Sequence, residues 1–213
     1  MKIALIGAGN VGRVLGKGLS HIDHEIIYGL RNPDDSKYDE LKDYAELKSV
    51  ADAAKGAEII ILATPWSQTK NAIDAMAENY RGKILIDCTN PLKDDLSGLT
   101  HGFDASGGEE VAKWAKGARV VKAFNTTGTS NMANPEFNSR KSMMLIASND
   151  KEARLFVKSL SDDLGFDSYE FGNLSLARYM EPFAYVWISL AFQHGLGTEF
   201  TFTINNKKEL ISK

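Results

Sequence analysis

Gly7, Gly9 and Gly12 stand in the spacing G-x-G-x-x-G, directly after the apolar run Lys2–Ile6 and at the mouth of a helical pattern. In that frame the spacing points to a dinucleotide site, the alternative being a glycine-rich turn with no ligand. The first glycine permits a tight turn, the second lets backbone approach a pyrophosphate, and the third lets helix and strand pack closely. The N–H groups at the start of the helix then face the anion. The end of the second apolar run reads Tyr28-Gly29-Leu30-Arg31-Asn32-Pro33. A site for NAD usually places an acidic side chain there, on the ribose hydroxyls. Here no carboxylate occurs before Asp34 and Asp35, and Arg31 is placed to meet a 2′-phosphate through a charge-assisted hydrogen bond. Such a bond contributes about 1.5–3 kcal/mol, a preference of roughly tenfold to a hundredfold for NADP over NAD. The alternative is a solvated loop cation.

Ligands of an open α/β sheet lie outside the carboxyl ends of its strands. The residues at those ends are Ala63-Thr64-Pro65-Trp66, Thr89-Asn90-Pro91 and Phe124-Asn125-Thr126-Thr127. Pro65 and Pro91 fix φ and stop their strands, which holds Thr64 and Asn90 for the nicotinamide ribose. Trp66 reads equally as a site aromatic or as packing on its own helix. No constellation for acid–base or nucleophilic catalysis and no metal-ligand spacing emerges, so no residue is assigned a catalytic or metal role. His21, His24, His101 and His194 lack partner spacing, and Cys88 sits inside an apolar strand as a small buried residue. Chemistry carried by two redox cofactors fits that absence, because hydride transfer between rings needs orientation and stacking rather than a protein base.

These turns have to be held by alternating strands and helices. The patterns predict strands at 2–6, 25–28, 58–63, 83–87, 119–123, 143–147 and 168–171, with a weaker one at 45–48. Helices are predicted at 10–20, 50–55, 68–79, 109–116 and 151–164. Ser49 before Asp52, and Asn149 before Glu152, read as N-caps. The expected fold class is α/β, a doubly wound and mostly parallel Rossmann sheet over residues 1–172. Residues 173–213 read as a small C-terminal helical extension rather than an independent domain, with one helical stretch at 174–194 interrupted by Pro182 and a β-like FTFTI tail.

The 213 residues carry a formal charge of −3 with no long run of either sign, which argues against nucleic acid as a partner. No apolar run reaches the roughly 18 residues of a membrane span. Without a secretory signal and with one cysteine, the chain is expected to be cytoplasmic.

Taken in order, GAGNVG, GLRNP, ATPW, DCTNPL, VVKAFNTTG and FGNLSLARYMEP resemble the deazaflavin (coenzyme F420) dependent NADP oxidoreductases. They are similar, too, to the cytosolic reductase domain of STEAP-type metalloreductases. The likeness runs from Met1 to about Phe192. It implies hydride transfer between NADPH and a flavin or deazaflavin, usually in a homodimer. By resemblance, Gly9, Asn10 and Val11 contact the pyrophosphate, Arg31 and Asn32 the 2′-phosphate, and Thr64, Pro65 and Trp66 the nicotinamide side, while Phe124 and Asn125 border the ring-stacking pocket. The segment Leu176-Ala177-Arg178…Glu181 corresponds to the extension near the second substrate, although Arg178 and Glu181, three apart, read equally as a stabilising helix pair. Leu30 stands where the family often has serine, which implies one phosphate contact fewer.

The expected partner is thus a small-molecule redox acceptor, with neither nucleic acid nor membrane, and the homodimer forms through the extension. Leu174, Met180, Phe183, Val186, Trp187 and Leu190 supply apolar surface for it. Two other functions compete. A carbonyl or imine reductase needs a proton donor, for which Lys122 is the candidate. A non-enzymatic NADP-binding regulatory module needs only a partner for the appended helix.

Overall fold

The computed structural model describes residues 1–205 and 207. In chain order the elements are β1 (Lys2–Ile6), α1 (Asn10–His21), β2 (Glu25–Leu30), a 3-10 segment Ser36–Asp43, β3 (Ala45–Ser49), α2 (Val50–Gly56), β4 (Ile59–Leu62), α3 (Trp66–Ala75) and β5 (Ile84–Asp87). Then follow α4 (Gly107–Trp114), β6 (Arg119–Lys122), α5 (Thr129–Ala133), β7 (Glu136–Phe137), β8 (Arg140–Lys141), β9 (Met143–Ala147), α6 (Lys151–Asp163), β10 (Asp167–Gly172) and α7 (Ala177–Ile188).

Eight strands form one sheet in the order β10-β9-β6-β5-β4-β1-β2-β3. All neighbouring pairs are parallel except β6 with β9, which meet antiparallel at Lys122 and Ala147. The strand order reverses at β1, which lies between β2 and β4, and that switch point is where such sheets open a crevice. The α/β doubly wound reading holds.

Strand chemistry explains the layers. In β1, Ile3 and Leu5 enter the core under α1 and α6, whereas Ala4 and Ile6 enter the core under α2, α3 and α4. Side chains alternate across a strand, so a sheet covered on both faces requires uninterrupted apolar runs. Residues 3–6, 59–62 and 84–86 are such runs, and β4 and β5 are buried throughout.

Several details differ from the sequence reading. Helix α3 starts at Trp66 and gives way before Ala77 and Glu78, whose φ values of +50° and +60° leave the helical region. The N-cap of α6 is Asp150, which accepts from the Ala153 N–H, while Asn149 Oδ1 accepts from the Leu174 N–H at 3.1 Å. Ser49 caps α2 as expected, accepting from the Asp52 N–H. Helix α7 runs through Pro182 without interruption. Proline costs about 3 kcal/mol in a helix interior, and the burial of Met180, Ala184 and Trp187 offsets it. The tail is not a strand: the Phe200 carbonyl accepts from Asn131 Nδ2 and Trp187 Nε1, and the Phe202 carbonyl from the Met143 N–H. Helix α5 and the β7–β8 hairpin were not anticipated; both are too short to show a period.

Candidate active site

The turn after β1 is built as its glycines require. Gly7 has φ +103°, and a Cβ there would lie 2.7 Å from the Ala63 carbonyl oxygen on the neighbouring strand end. A Cβ on Gly12 would lie 2.1 Å from the Gly7 carbonyl oxygen, so α1 rests directly on the turn. Gly9 is different. Its φ of −76° suits any residue, and a Cβ there would meet nothing within 4 Å. No protein neighbour demands glycine at position 9; what a side chain would obstruct is the open space beyond the turn. Gly9 is also the N-cap of α1, which has no side-chain cap and no acidic residue in its first turn. Its leading N–H groups are therefore left for a ligand anion.

Two cavities meet at this turn and share Gly9, Ala63, Thr64 and Pro65. One, of about 460 Å³, extends past Gly7, Gly29 and Leu30 to Arg31 and Tyr38, with Gln68 and Asn71 of α3 on its other side. Arg31 is exposed and has no ion pair or hydrogen bond among the described residues. Tyr38 is flanked by cations, Lys37 Nζ at 4.9 Å and the Arg13 guanidinium at 5.9 Å from its ring centre. Leu30 is buried in the core, so its side chain packs inward and offers the cavity no hydroxyl. Asn32 lies at the exposed rim, and its side chain lines neither cavity.

The other cavity, of about 410 Å³, is lined by Asn10, Val11, Trp66, Cys88, Thr89 and Asn90, and by Leu92, Lys93, Asp94 and Leu96 of the loop after β5. Trp66 stacks on Trp114 with centroids 5.3 Å apart and meets His101 edge-on at 5.4 Å. It thus lines the cavity and packs on the core at once. Thr64 Oγ1 lies 3.1 Å from Thr69 Oγ1 of α3. Asn90 is fixed by a reciprocal pair: its Nδ2 donates to the Asn125 carbonyl at 2.8 Å, and Asn125 Nδ2 donates to Asn90 Oδ1 at 3.0 Å.

Phe124 does not border either cavity. It is 1% exposed, with φ +57°, and its ring packs on Phe166 inside the core. Asn125 is buried behind Asn90 and reaches the cavity only through it. Gly12 lies beneath the turn rather than on its surface. Cys88 faces the cavity, but burial pushes its thiol pKa up, with Asp87 adding in the same sense, so it stays protonated.

Beneath this cavity lies a buried ionic cluster that the sequence did not announce. Lys122 Nζ contacts Asp87 Oδ2 at 2.9 Å and Glu181 Oε1 at 2.8 Å, and donates to the Thr89 carbonyl at 2.6 Å. All three ionic side chains are at most 1% exposed. Desolvation opposes the charge on Lys122, yet the two carboxylates outweigh it and hold its pKa above the ordinary lysine value. Lys122 is an enclosed, fully engaged ammonium that lines neither cavity, which removes the geometry needed for a proton donor to a carbonyl or imine. Arg178 and Glu181 do not pair with each other: Arg178 bonds Glu109 through two contacts of 2.8 Å, and Glu181 turns inward. Charge pairing across helices has no local period, so only chemical type marked these residues in advance.

Comparison with known proteins bears on the family and the fold. Residues 2–91 match the family model described as NADP oxidoreductase coenzyme F420-dependent. The F420-dependent NADP reductase of Methanothermobacter marburgensis is 29% identical over 210 residues, covering 89% of this chain and 92% of that protein. Metalloreductase STEAP3 of Rattus norvegicus is 27% identical over 181 residues, and there the match spans 84% of this chain but only 36% of the relative. Among solved structures, one from Arthrobacter sp. FB24, provisionally named an F420-dependent NADP reductase, superposes with a TM-score of 0.88 at 32% identity and covers 97% of this chain and 100% of its own. An imine reductase from Streptomyces aurantiacus superposes with a TM-score of 0.68 at 15% identity, over 91% of this chain and 64% of its own, a likeness of fold alone. With full-length similarity in sequence and fold to a reductase of this kind, the chain belongs to the coenzyme F420-dependent NADP oxidoreductase family and is an oxidoreductase.

Proposed function

We propose that this protein transfers hydride between NADP(H) and a flavin or deazaflavin. The observation that carries the reading is the pair of cavities meeting at Gly9, Thr64 and Pro65, one ending at the unpartnered Arg31 and the other walled by Trp66 and Asn90. The residues fit a dinucleotide. Arg31 takes the 2′-phosphate, with Asn32 at the rim. Gly7, Gly9, Gly12, Asn10 and Val11 form the pyrophosphate turn, and Thr64, Pro65, Trp66 and Asn90 receive the nicotinamide side, with Asn125 supporting Asn90. When bound, the dinucleotide supplies the hydride chemistry. The chain supplies orientation and exclusion of water, consistent with a cavity whose titratable groups are a protonated thiol and the exposed Lys93 and Asp94.

We read residues 173–213 as an extension of the 1–172 domain that forms a homodimer, and the acceptor as a small diffusible molecule. Among the described residues no helix is long and apolar enough to cross a membrane. The decisive experiment follows NADPH oxidation with the deazaflavin, FMN, FAD and riboflavin in turn. Turnover with one of them supports the reading; NADPH binding with no turnover by any of the four would sink it.

A further inference from the structure

Glu181 is a buried carboxylate that the proposed chemistry does not use. Its Oε2 accepts from the Gly107 N–H at 2.8 Å and its Oε1 from the Gly108 N–H at 2.9 Å, so it caps the start of α4 from a different element, α7. The same Oε1 pairs with Lys122, which in turn holds the Thr89 carbonyl. Trp66 rests on Gly107: a Cβ there would lie 3.0 Å from its ring. One turn further along α7, Tyr185 donates its hydroxyl to the Leu96 carbonyl at 3.3 Å. Trp66, Thr89 and Leu96 are three walls of the 410 Å³ cavity. Each is tied to α7 directly or through one intermediate. Among the described residues no side-chain hydrogen bond from α7 reaches a residue that lines only the Arg31 cavity.

We propose that Glu181 is a positioning residue for the nicotinamide-side cavity: through the N-terminus of α4 and through Lys122 it sets the walls that receive the reactive half of the dinucleotide. The inference rests on the reading above, in which that cavity takes the nicotinamide. Buried hydrogen-bonded charge networks hold their members in a single geometry and lose it when one member is removed. Replacing the carboxylate by an amide keeps the shape of the side chain, removes one charge and supplies an N–H₂ group where only acceptors fit.

The test compares NADPH with 2′,5′-ADP, which carries the 2′-phosphate and lacks the nicotinamide, by titration calorimetry on wild type and Glu181→Gln. The wild type is expected to bind NADPH more tightly than 2′,5′-ADP. Glu181→Gln should lower NADPH affinity about tenfold while 2′,5′-ADP binding stays within about twofold. The fluorescence of the bound reduced nicotinamide should fall toward that of free NADPH. Tyr185→Phe, a change near the surface, should give the same selective pattern at about threefold, and it decides the matter if the glutamine variant does not fold. Equal loss for both ligands, or no loss for either, would overturn the proposal, as would a wild type that gains nothing from the nicotinamide half. A wild type that binds neither ligand would instead overturn the cofactor reading itself.

Discussion

At Gly9 and Gly12 the same residue type serves two different constraints, and substitution separates them. Gly12→Ala drives a methyl group to 2.1 Å from a backbone oxygen and forces the turn apart, so both thermal stability and NADPH affinity should fall. Gly9→Ala meets no protein atom. It should cost about 1 kcal/mol or less in stability, as an exchange of cap residue, while NADPH affinity falls roughly tenfold or more because the methyl occupies ligand space. Denaturant melts and titrations on the two variants distinguish these outcomes. Arg31→Ala should weaken NADPH by about tenfold to a hundredfold and leave NADH unchanged, since only the 2′-phosphate loses a partner. Equal weakening of both nucleotides would show that Arg31 does not read the phosphate.

Among the elements, α6 shows how a helix end becomes a pH-dependent fastening. Asp150 accepts from the Ala153 N–H and takes two contacts, of 2.6 and 3.0 Å, from Arg119 at the start of β6. The Arg119 hydrogen bonds, then the cap, hold its pKa down to about 2, from an ordinary 3.8. A carboxylate with a depressed folded pKa contributes stability that is present above its unfolded value and lost as pH falls through the folded one. Its contribution should therefore disappear between pH 3.8 and about 2. Because the pair is one-third exposed, screening limits the effect. Asp150→Ala should cost about 1 kcal/mol at neutral pH, the usual worth of an N-cap. Below pH 2 it should cost nothing, which urea melts across that range will show.

For the whole molecule, the prediction concerns association. Much of the apolar surface of the extension is consumed within the chain: Leu174, Met180 and Trp187 are buried, and Phe183 packs on Phe202 with centroids 4.6 Å apart. Among the described residues, what remains outward is Tyr179, Val186, Phe192, Leu196 and Ile204, between 45% and 66% exposed. If the proposed homodimer uses this face, Val186→Asp together with Phe192→Ser should convert the species seen in sedimentation to a monomer, with the fold retained. A wild type that sediments as a monomer would remove the dimer from the reading.

The sequence by itself determined the sheet and the glycine turn, because both follow from local rules: apolar runs for strands covered on two sides, and a glycine spacing directly after the first strand in which Gly7 takes a positive φ and Gly12 has no room for a side chain. Arg31 could be singled out for the same reason, as the residue at the end of a strand whose place in the fold was already known, and it lines the cavity beside the turn. Phe124 was misplaced because the direction of a side chain after a strand depends on a φ of +57° that no pattern announces. Trp66 was legible as an aromatic lining the cavity, but its stacking on Trp114 and its edge contact with His101 join segments far apart in the chain. Only the tertiary structure decided that Asp87, Lys122 and Glu181 meet, since burial of charge is set by what folds over it. The same packing made α7 part of the cavity's support.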